Sequence, residues 1–239
     1  MKRLATICAR GGSKGVPNKN LKLLGGRPLI AWSVLQAKAT GLFERVVVSS
    51  DSGDILAAAL EAGADGVVNR PTDMATDEAP KVPAILHALL EAEREANVRY
   101  DILVDLDATA PLRLPGDIIG AVDLLESSGS SSVITGNEAY RSPYFDLVEL
   151  QDDGTVRVSK TPLRPVFRRQ DVPVCYDMNA SIYVWKRDTL VANPSVFYSD
   201  TRLFEMPAER SREIDSSFDF SIVEFLFDKL KIADVLSPQ

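Results

Sequence analysis

A chain of 239 residues, 45% hydrophobic and 26% charged, has material for one well-buried core with a small appendage. Its formal net charge of −7 excludes a nucleic-acid binder working through a broad basic face. No apolar run approaches the ~20 residues of a membrane span, and the two distant cysteines, Cys8 and Cys175, form neither a disulfide framework nor a metal motif, which suits the cytoplasm.

The first predicted element is a buried strand over residues 4–9, and Arg10 ends its apolar run too early for a signal peptide. It breaks into Arg10-Gly11-Gly12-Ser13-Lys14-Gly15-Val16-Pro17-Asn18-Lys19-Asn20. In α/β proteins such a loop cradles phosphates: glycines let backbone N–H groups approach the oxygens, and cations neutralise the remaining charge. The order Ser13-Lys14-Gly15 is not a Walker A motif, and Pro17 and Asn18 stand where a dinucleotide fingerprint needs its third glycine. The loop runs without predicted secondary structure to about Arg27, a length that marks a functional loop. Its predicted ligand is a nucleotide.

Strands are predicted at residues 45–50, 66–69, 101–107 and 132–135, and helices at 29–39, 53–62, 82–96 and 117–125. Pro28 and Pro115 stand near helix starts, Asp51 or Ser52 serves as an N-cap, and Gly41 and Gly63 close helices. Continuous Val/Ile/Leu strands alternating with amphipathic helices predict an α/β fold: a mostly parallel sheet with helices on both faces. Ligands then bind at the carboxyl ends of the strands, where Arg10, Asp51, Arg70, Asp105 and Asp107 stand. The single histidine, His87, falls toward the polar side of a helix whose apolar face is read as 82, 85, 86 and 89. Histidine-based nucleophilic or zinc chemistry is thereby disfavoured, leaving Lys, Arg, carboxylates and a hard metal ion.

After about residue 138 the alternation stops. Residues 144–149 and 156–159 flank Asp152-Asp153-Gly154-Thr155 and predict a hairpin, followed by a Pro- and Arg-rich extended piece over 161–170. The excursion 140–176 cannot bury much by itself and is expected to pack against a second copy in a homodimer, while 1–139 and 177–239 form the nucleotide-handling domain. The chain then resumes with strands at 180–185 and 202–206 and a helix near 218–230, whose stripe of Phe218, Ile222, Phe225 and Leu226 is read as core.

Several motifs stand in order along residues 3 to about 228. They are the 9–20 loop with Gly26-Arg27-Pro28-Leu29-Ile30, Ser49-Ser50-Asp51, Arg70-Pro71 to Ala75-Thr76-Asp77, and Thr109-Ala110-Pro111-Leu112-Arg113. Arg168-Arg169-Gln170-Asp171, Asn179-Ala180-Ser181-Ile182-Tyr183 and Glu213-Ile214-Asp215 complete the set. Together they resemble the sugar nucleotidyltransferases, and more narrowly the CMP-N-acylneuraminate (sialic acid) cytidylyltransferases. The resemblance implies a Rossmann-like fold of the nucleotide-diphospho-sugar transferase type. It also implies a reaction in which CTP and a nonulosonic acid give the CMP-sugar and pyrophosphate, with no nucleic acid or membrane involved. Such a transfer needs alignment and charge neutralisation around the α-phosphate more than covalent help.

By that resemblance Arg10, Gly11, Ser13, Lys14 and Lys19 hold the triphosphate, and Asn20, Arg70, Ala75 and Asp77 read cytosine and ribose. Asp107, Arg113, Arg169, Gln170 and Asn179 take the sugar, Arg suiting its carboxylate by donating two parallel hydrogen bonds. Mg²⁺ falls to Asp215, Glu213 and Asp107, and the catalytic residues are Arg10, Lys19 and Asp215. The chain departs from the family pattern at Glu213, usually Asp, and at Asp107, commonly Gln. Asp105 and Asp107 form a D-x-D on one strand face that also suits a metal. A 3-deoxy-octulosonate cytidylyltransferase and a non-catalytic nucleotide-binding relative are the rival readings, the second disfavoured because Lys19 and Asp215 are kept. The sugar stays open among N-acetylneuraminate, legionaminate, pseudaminate and deaminated variants. Asp107 makes a diamino sugar such as legionaminate a candidate.

Overall fold

A computed structural model of the chain describes residues 1–161 and 168–236, the Arg169 side chain excepted. The Pro- and Arg-rich stretch at 162–167 lies outside the described residues. Alternating apolar strands and helices assemble into one seven-stranded sheet of order β11-β7-β10-β6-β1-β4-β5. Its strands are Arg3–Cys8 (β1), Arg45–Ser50 (β4), Gly66–Asn69 (β5), Ile102–Leu106 (β6), Ser132–Glu138 (β7), Tyr176–Lys186 (β10) and Arg202–Glu205 (β11). All neighbours run parallel except β10, which is antiparallel to both β6 and β7. Two small ribbons complete the strands: Leu23–Leu24 (β2) with Arg27–Pro28 (β3), and Val148–Leu150 (β8) with Val156–Val158 (β9).

The sheet is hydrophobic on both faces because helices cover both. On one face, Ala5 and Ile7 of β1 and Val104 and Leu106 of β6 pack with Ile30 and Val34 of Leu29–Ala39 (α1), Ile55 of Gly53–Glu61 (α2) and Ile118 of Pro115–Ser128 (α4). On the other, Leu4, Leu103, Tyr183 and Trp185 meet Ile85 and Leu89 of Lys81–Ala96 (α3). The α3 contact face is Ala84, Ile85, Ala88, Leu89 and Ala92, with Val82 and Leu86 of the expected 82/85/86/89 stripe partly buried against the same cluster. His87 is half-buried, and its Nδ1 has no hydrogen-bond partner. The first loop is also more ordered than expected, since a 3₁₀ turn at Lys19–Leu21 and the β2–β3 ribbon occupy its second half.

After β10 come Arg187–Ala192 (α5), β11, Ser217–Lys229 (α6) and Ile232–Val235 (α7). Ser216 caps α6, its hydroxyl accepting from the Asp219 N–H. The expected stripe on this helix is wrong in part: Phe218 is 72% and Phe225 65% exposed. The helix docks instead through Phe220, Val223 and Phe227, which join Trp32, Leu29 and Val16 in a third apolar cluster. Phe227 meets Trp32 edge-on, ring centroids 4.7 Å apart. A run with apolar residues on most of its circumference does not say which face wins; the position of Trp32 does.

Phe227→Ala should therefore cost ~3–5 kcal/mol in urea unfolding, as for a buried aromatic. Phe225→Ser on the exposed side should stay within about 0.5 kcal/mol of the parent. The reverse order would show that α6 docks through the other stripe.

Candidate active site

From β1 the chain steps to β4 and β5 on one side, then returns to β6 on the other, so the β1/β6 crevice is the topological switch point of the sheet. A cavity of about 540 Å³ opens at this place, walled by the first loop, the start of α3, the residues after β6 and the segment before α6.

The loop is pinned at its middle. Val16 is buried in the α6 cluster, and Asn18 takes a left-handed conformation with φ 52° that turns the chain into the Lys19–Leu21 turn. This aims Lys19 at the segment before α6, where its Nζ donates to the Ile214 carbonyl at 2.5 Å and lies 3.7 Å from Asp215 Oδ1. Gly15 permits the approach: a Cβ there would lie 1.9 Å from the Asp215 carbonyl oxygen. Ile214 is held from behind, its N–H donating to the Thr109 carbonyl at 2.9 Å. Loop and acidic segment thus form one wall.

Arg10 pairs with Asp77 at 2.5 Å, and Lys14 pairs with the same carboxylate. The Lys14 hydrogen bond foremost holds the Asp77 carboxyl below its usual range. A phosphate entering between Arg10 and Lys14 competes with Asp77 for both cations. Gly11 is placed differently from expectation: its N–H donates to Asp51 Oδ1 at 2.9 Å, so it is committed to the neighbouring loop. Ser52, not Asp51, occupies the α2 N-cap position, without a side-chain cap bond.

Asn20 is 4% exposed and lines the cavity. Its amide donates to the Arg10 carbonyl at 2.9 Å, while its Oδ1 is buried without a partner. A buried orphan acceptor costs free energy unless a ligand donor meets it. Arg70 is buried beside it, donating to the Ser49 carbonyl at 3.0 Å. Thr76 and Asp77 line the cavity, whereas Ala75 between them and the 3₁₀ turn does not.

The far end of the cavity holds a group that the motifs do not announce. Lys81, first residue of α3, lies 2.9 Å from Asp107 Oδ2 and 3.2 Å from Asp105 Oδ2, over the Tyr183 ring. Burial works against its charge, but Asp107 and Asp105 outweigh that and raise the ammonium above the ordinary lysine range. Asp107, against its own burial, is pushed down to about 2 by Lys81 and by the Thr109 N–H and hydroxyl that bond its other oxygen. Asp107 therefore does not stand open to a cation, since an ammonium already faces it. Asp105 accepts from the Thr6 hydroxyl at 2.9 Å in the sheet interior. The sequence did carry a signal: a cation in the first helical turn runs against the helix dipole, and Lys81 stands there with no acid in that turn.

Arg113 departs most from expectation. It is 0% exposed, and its guanidinium donates to the Asp107, Ala110 and Ser181 carbonyls and to the Ser33 hydroxyl. Burial lowers its pKa to about 10. It ties together the turn after β6 rather than facing a ligand. Asn179 is also buried, bonded to the Thr135 and Ser211 hydroxyls, at the rim of a second cavity of about 790 Å³. A register shift in β10, with Ala180 at φ 46°, turns it inward. Gln170 lines a separate hollow beside Glu138 and Cys175, and Arg169 contributes only backbone to the description, in a 3₁₀ turn at Arg169–Asp171.

Glu213 and Asp215 line both of these cavities, the one of about 540 Å³ and the one of about 790 Å³, Asp215 with its side chain 80% exposed. Burial, then the charges of Asp107 and Asp215, push the Glu213 carboxyl up to about 7. Crowded carboxylates of this kind are relieved by a divalent cation. No group of three or more His, Cys, Asp or Glu among the described residues is placed to hold a metal alone. Magnesium asks for fewer, since one or two carboxylates and phosphate oxygens suffice. Cys8 also lines the cavity, and burial raises its thiol out of the reactive range.

Residues 4–229 match the family model described as "Cytidylyltransferase". "Post-translational flagellin modification protein B" of Campylobacter coli is 46% identical over 93% of this chain and 94% of its own length. "CMP-N,N'-diacetyllegionaminic acid synthase" of Campylobacter jejuni is 44% identical over the same shares, 93% and 94%. Among solved structures, CMP:2-keto-3-deoxy-manno-octonic acid synthetase complexed with CTP superposes with a TM-score of 0.69 at 18% identity, over 96% of this chain and 100% of that one. At that identity the likeness is one of fold.

Gly15→Ala should lower kcat about a hundredfold, the usual result of displacing a site by an ångström, while the melting temperature moves only a few degrees. A second expectation concerns pH. With its folded pKa raised from 4.5 to about 7, Glu213 holds an extra proton in the native state across that window. Its contribution to stability is therefore lost as pH rises from 4.5 to 7. In metal-free buffer at pH 8, Glu213→Gln should be more stable by on the order of 1–2 kcal/mol after solvent screening, with no gain at pH 4.

Proposed function

Because this chain belongs to the cytidylyltransferase family, we propose that it couples CTP to a nonulosonic acid carrying acylamino groups, of the N,N'-diacetyllegionaminate kind, and releases pyrophosphate. It is a nucleotidyltransferase; the choice of sugar is our reading, supported by the printed name of the Campylobacter jejuni relative. One observation carries it: Arg10, Lys14 and Lys19 line the same cavity as Glu213, Asp215 and the Lys81–Asp107 pair.

In this reading Arg10, Ser13, Lys14 and Lys19 hold the triphosphate, the first and third released from Asp77 as phosphate oxygens replace it. Asn20 meets a ribose or base donor with its orphan Oδ1, and Arg70 and the 76–77 segment complete the nucleotide side. The anomeric hydroxyl of the acceptor attacks the α-phosphorus, the bond to the β-phosphate oxygen breaks, and pyrophosphate carries the electron pair away. Cations fixed before the reaction need no reorganisation as charge builds on the leaving group, which is where the rate comes from. The second cavity, joined to the first through Glu213 and Asp215, takes the body of the acceptor near Asn179.

We take Mg²⁺ as the cofactor, with Glu213 and Asp215 the residues that would hold it. When bound it supplies charge neutralisation at the phosphates. We also infer a homodimer formed through the 139–175 connection. Its hairpin and flanks expose Tyr140, Leu150, Val156 and Val174 to a degree that a second copy would relieve.

Purified enzyme should release pyrophosphate only when CTP, Mg²⁺ and a nonulosonic acid are present together, and not with ATP or GTP in place of CTP. Asp215→Ala should lower turnover at least about a hundredfold. Full turnover in that variant, or release without the sugar acid, would overturn the assignment. Sedimentation should find two chains per particle.

A further inference from the structure

Asp215 has a largely exposed side chain, so packing does not aim its carboxylate. What aims it is the backbone of the short segment before α6, and a peptide unit keeps its orientation only where its own N–H and C=O are held. The Ile214 side chain is buried in the apolar cluster under α6, and its N–H donates to the Thr109 carbonyl at 2.9 Å. The next peptide, between Ile214 and Asp215, is held at both ends. Its carbonyl accepts from the Lys19 ammonium at 2.5 Å, and its N–H donates to Asp219 Oδ2 at 3.3 Å. A cation on the oxygen and an anion on the hydrogen follow the peptide's own dipole, and hydrogen bonds to charged groups are the strong ones.

Asp219 stands one turn into α6 and is more than a cap. Its Oδ2 also accepts from the Ser216 N–H at 2.8 Å and the Ser216 hydroxyl at 2.7 Å, while that hydroxyl accepts from the Asp219 N–H at 3.2 Å. These bonds, the Ser216 hydroxyl's foremost, hold the Asp219 carboxyl below its usual range. A capping box closes with the N–H and hydroxyl of the cap residue. The bond to Asp215, one residue outside the helix, is an addition to it. It ties the carboxylate-bearing segment to the helix that docks through Phe220, Val223 and Phe227.

We propose that Asp219 is a positioning residue for the metal: with Lys19 it locks the Ile214–Asp215 peptide and so sets where the Asp215 carboxylate stands. This rests on Glu213 and Asp215 being the residues that would hold Mg²⁺, and it is independent of which sugar acid is the acceptor. Lys19 thereby has two tasks, since the ammonium that lines the phosphate side of the cavity also fixes one end of the peptide whose other end Asp219 fixes.

The test is Mn²⁺ titrated into the enzyme with CTP and no acceptor, the enzyme-bound ion being read by electron paramagnetic resonance. Asp219→Ala, checked for native circular dichroism, should weaken Mn²⁺ binding about tenfold or more. Asp219→Asn should stay within about threefold of the wild type, because its amide oxygen can accept the same three bonds. Ser216→Ala removes the cap hydroxyl and leaves both backbone N–H groups to Asp219. It should lower the melting temperature by a few degrees, as Asp219→Ala does, yet bind Mn²⁺ within about twofold of the wild type.

Wild-type affinity in Asp219→Ala overturns the proposal. So does an equal loss in Ser216→Ala, which would make the effect one of helix stability. An equal loss in Asp219→Asn also overturns it, since the charge of the carboxylate and not its hydrogen bonds would then be the source. If Asp215→Ala leaves Mn²⁺ binding unchanged, the assignment of the metal to Asp215 fails first, and this inference with it.

Discussion

The site depends on a contact between a cationic loop and an acidic segment 195 residues apart, made where the Lys19 ammonium reaches the Ile214 carbonyl. Two features make it possible. Gly15 has no Cβ to collide with the Asp215 carbonyl, and Val16 anchors the loop in the apolar cluster under α6. Remove either and Lys19 loses its fixed distance to Asp215. The docking of α6 through Phe220, Val223 and Phe227 is therefore part of the chemistry, because it holds the acidic segment that begins just before it.

Charge is divided along the cavity. Near the loop, Arg10, Lys14 and Lys19 give a positive field with Asp77 as its internal partner. Farther along, Lys81 faces Asp105 and Asp107, and the buried Arg113 guanidinium also feels both carboxylates.

Arg113 shows how a motif can be right about importance and wrong about role. Its position in the segment after β6 suggested a hand on the sugar, yet its guanidinium is spent on carbonyls of that same turn and of Ser181. It shapes the rim that carries Asp107 and Thr109. A fully buried guanidinium, stripped of water, finds its partners inside the protein, and its two terminal nitrogens take the carbonyls within reach while Nε is left without one.

The alternation of apolar strands and helices was legible from the chain alone, and several elements fall on their predicted bounds, α1, β4 and β5 among them, because period and capping are local properties. The cationic character of the first loop was legible for the same reason: glycines and cations crowd a short span after a buried strand. What the sequence could not show were choices made between distant groups. Which face of α6 turns inward was decided by Trp32, and the commitment of Gly11 to Asp51 by the neighbouring strand end. The pairing of Lys81 with Asp105 and Asp107 arose only when α3 was laid across the ends of β6 and β10. Periodicity records whether a residue is buried. It does not record what that residue meets, and the meeting is set by the packing of helices on the sheet.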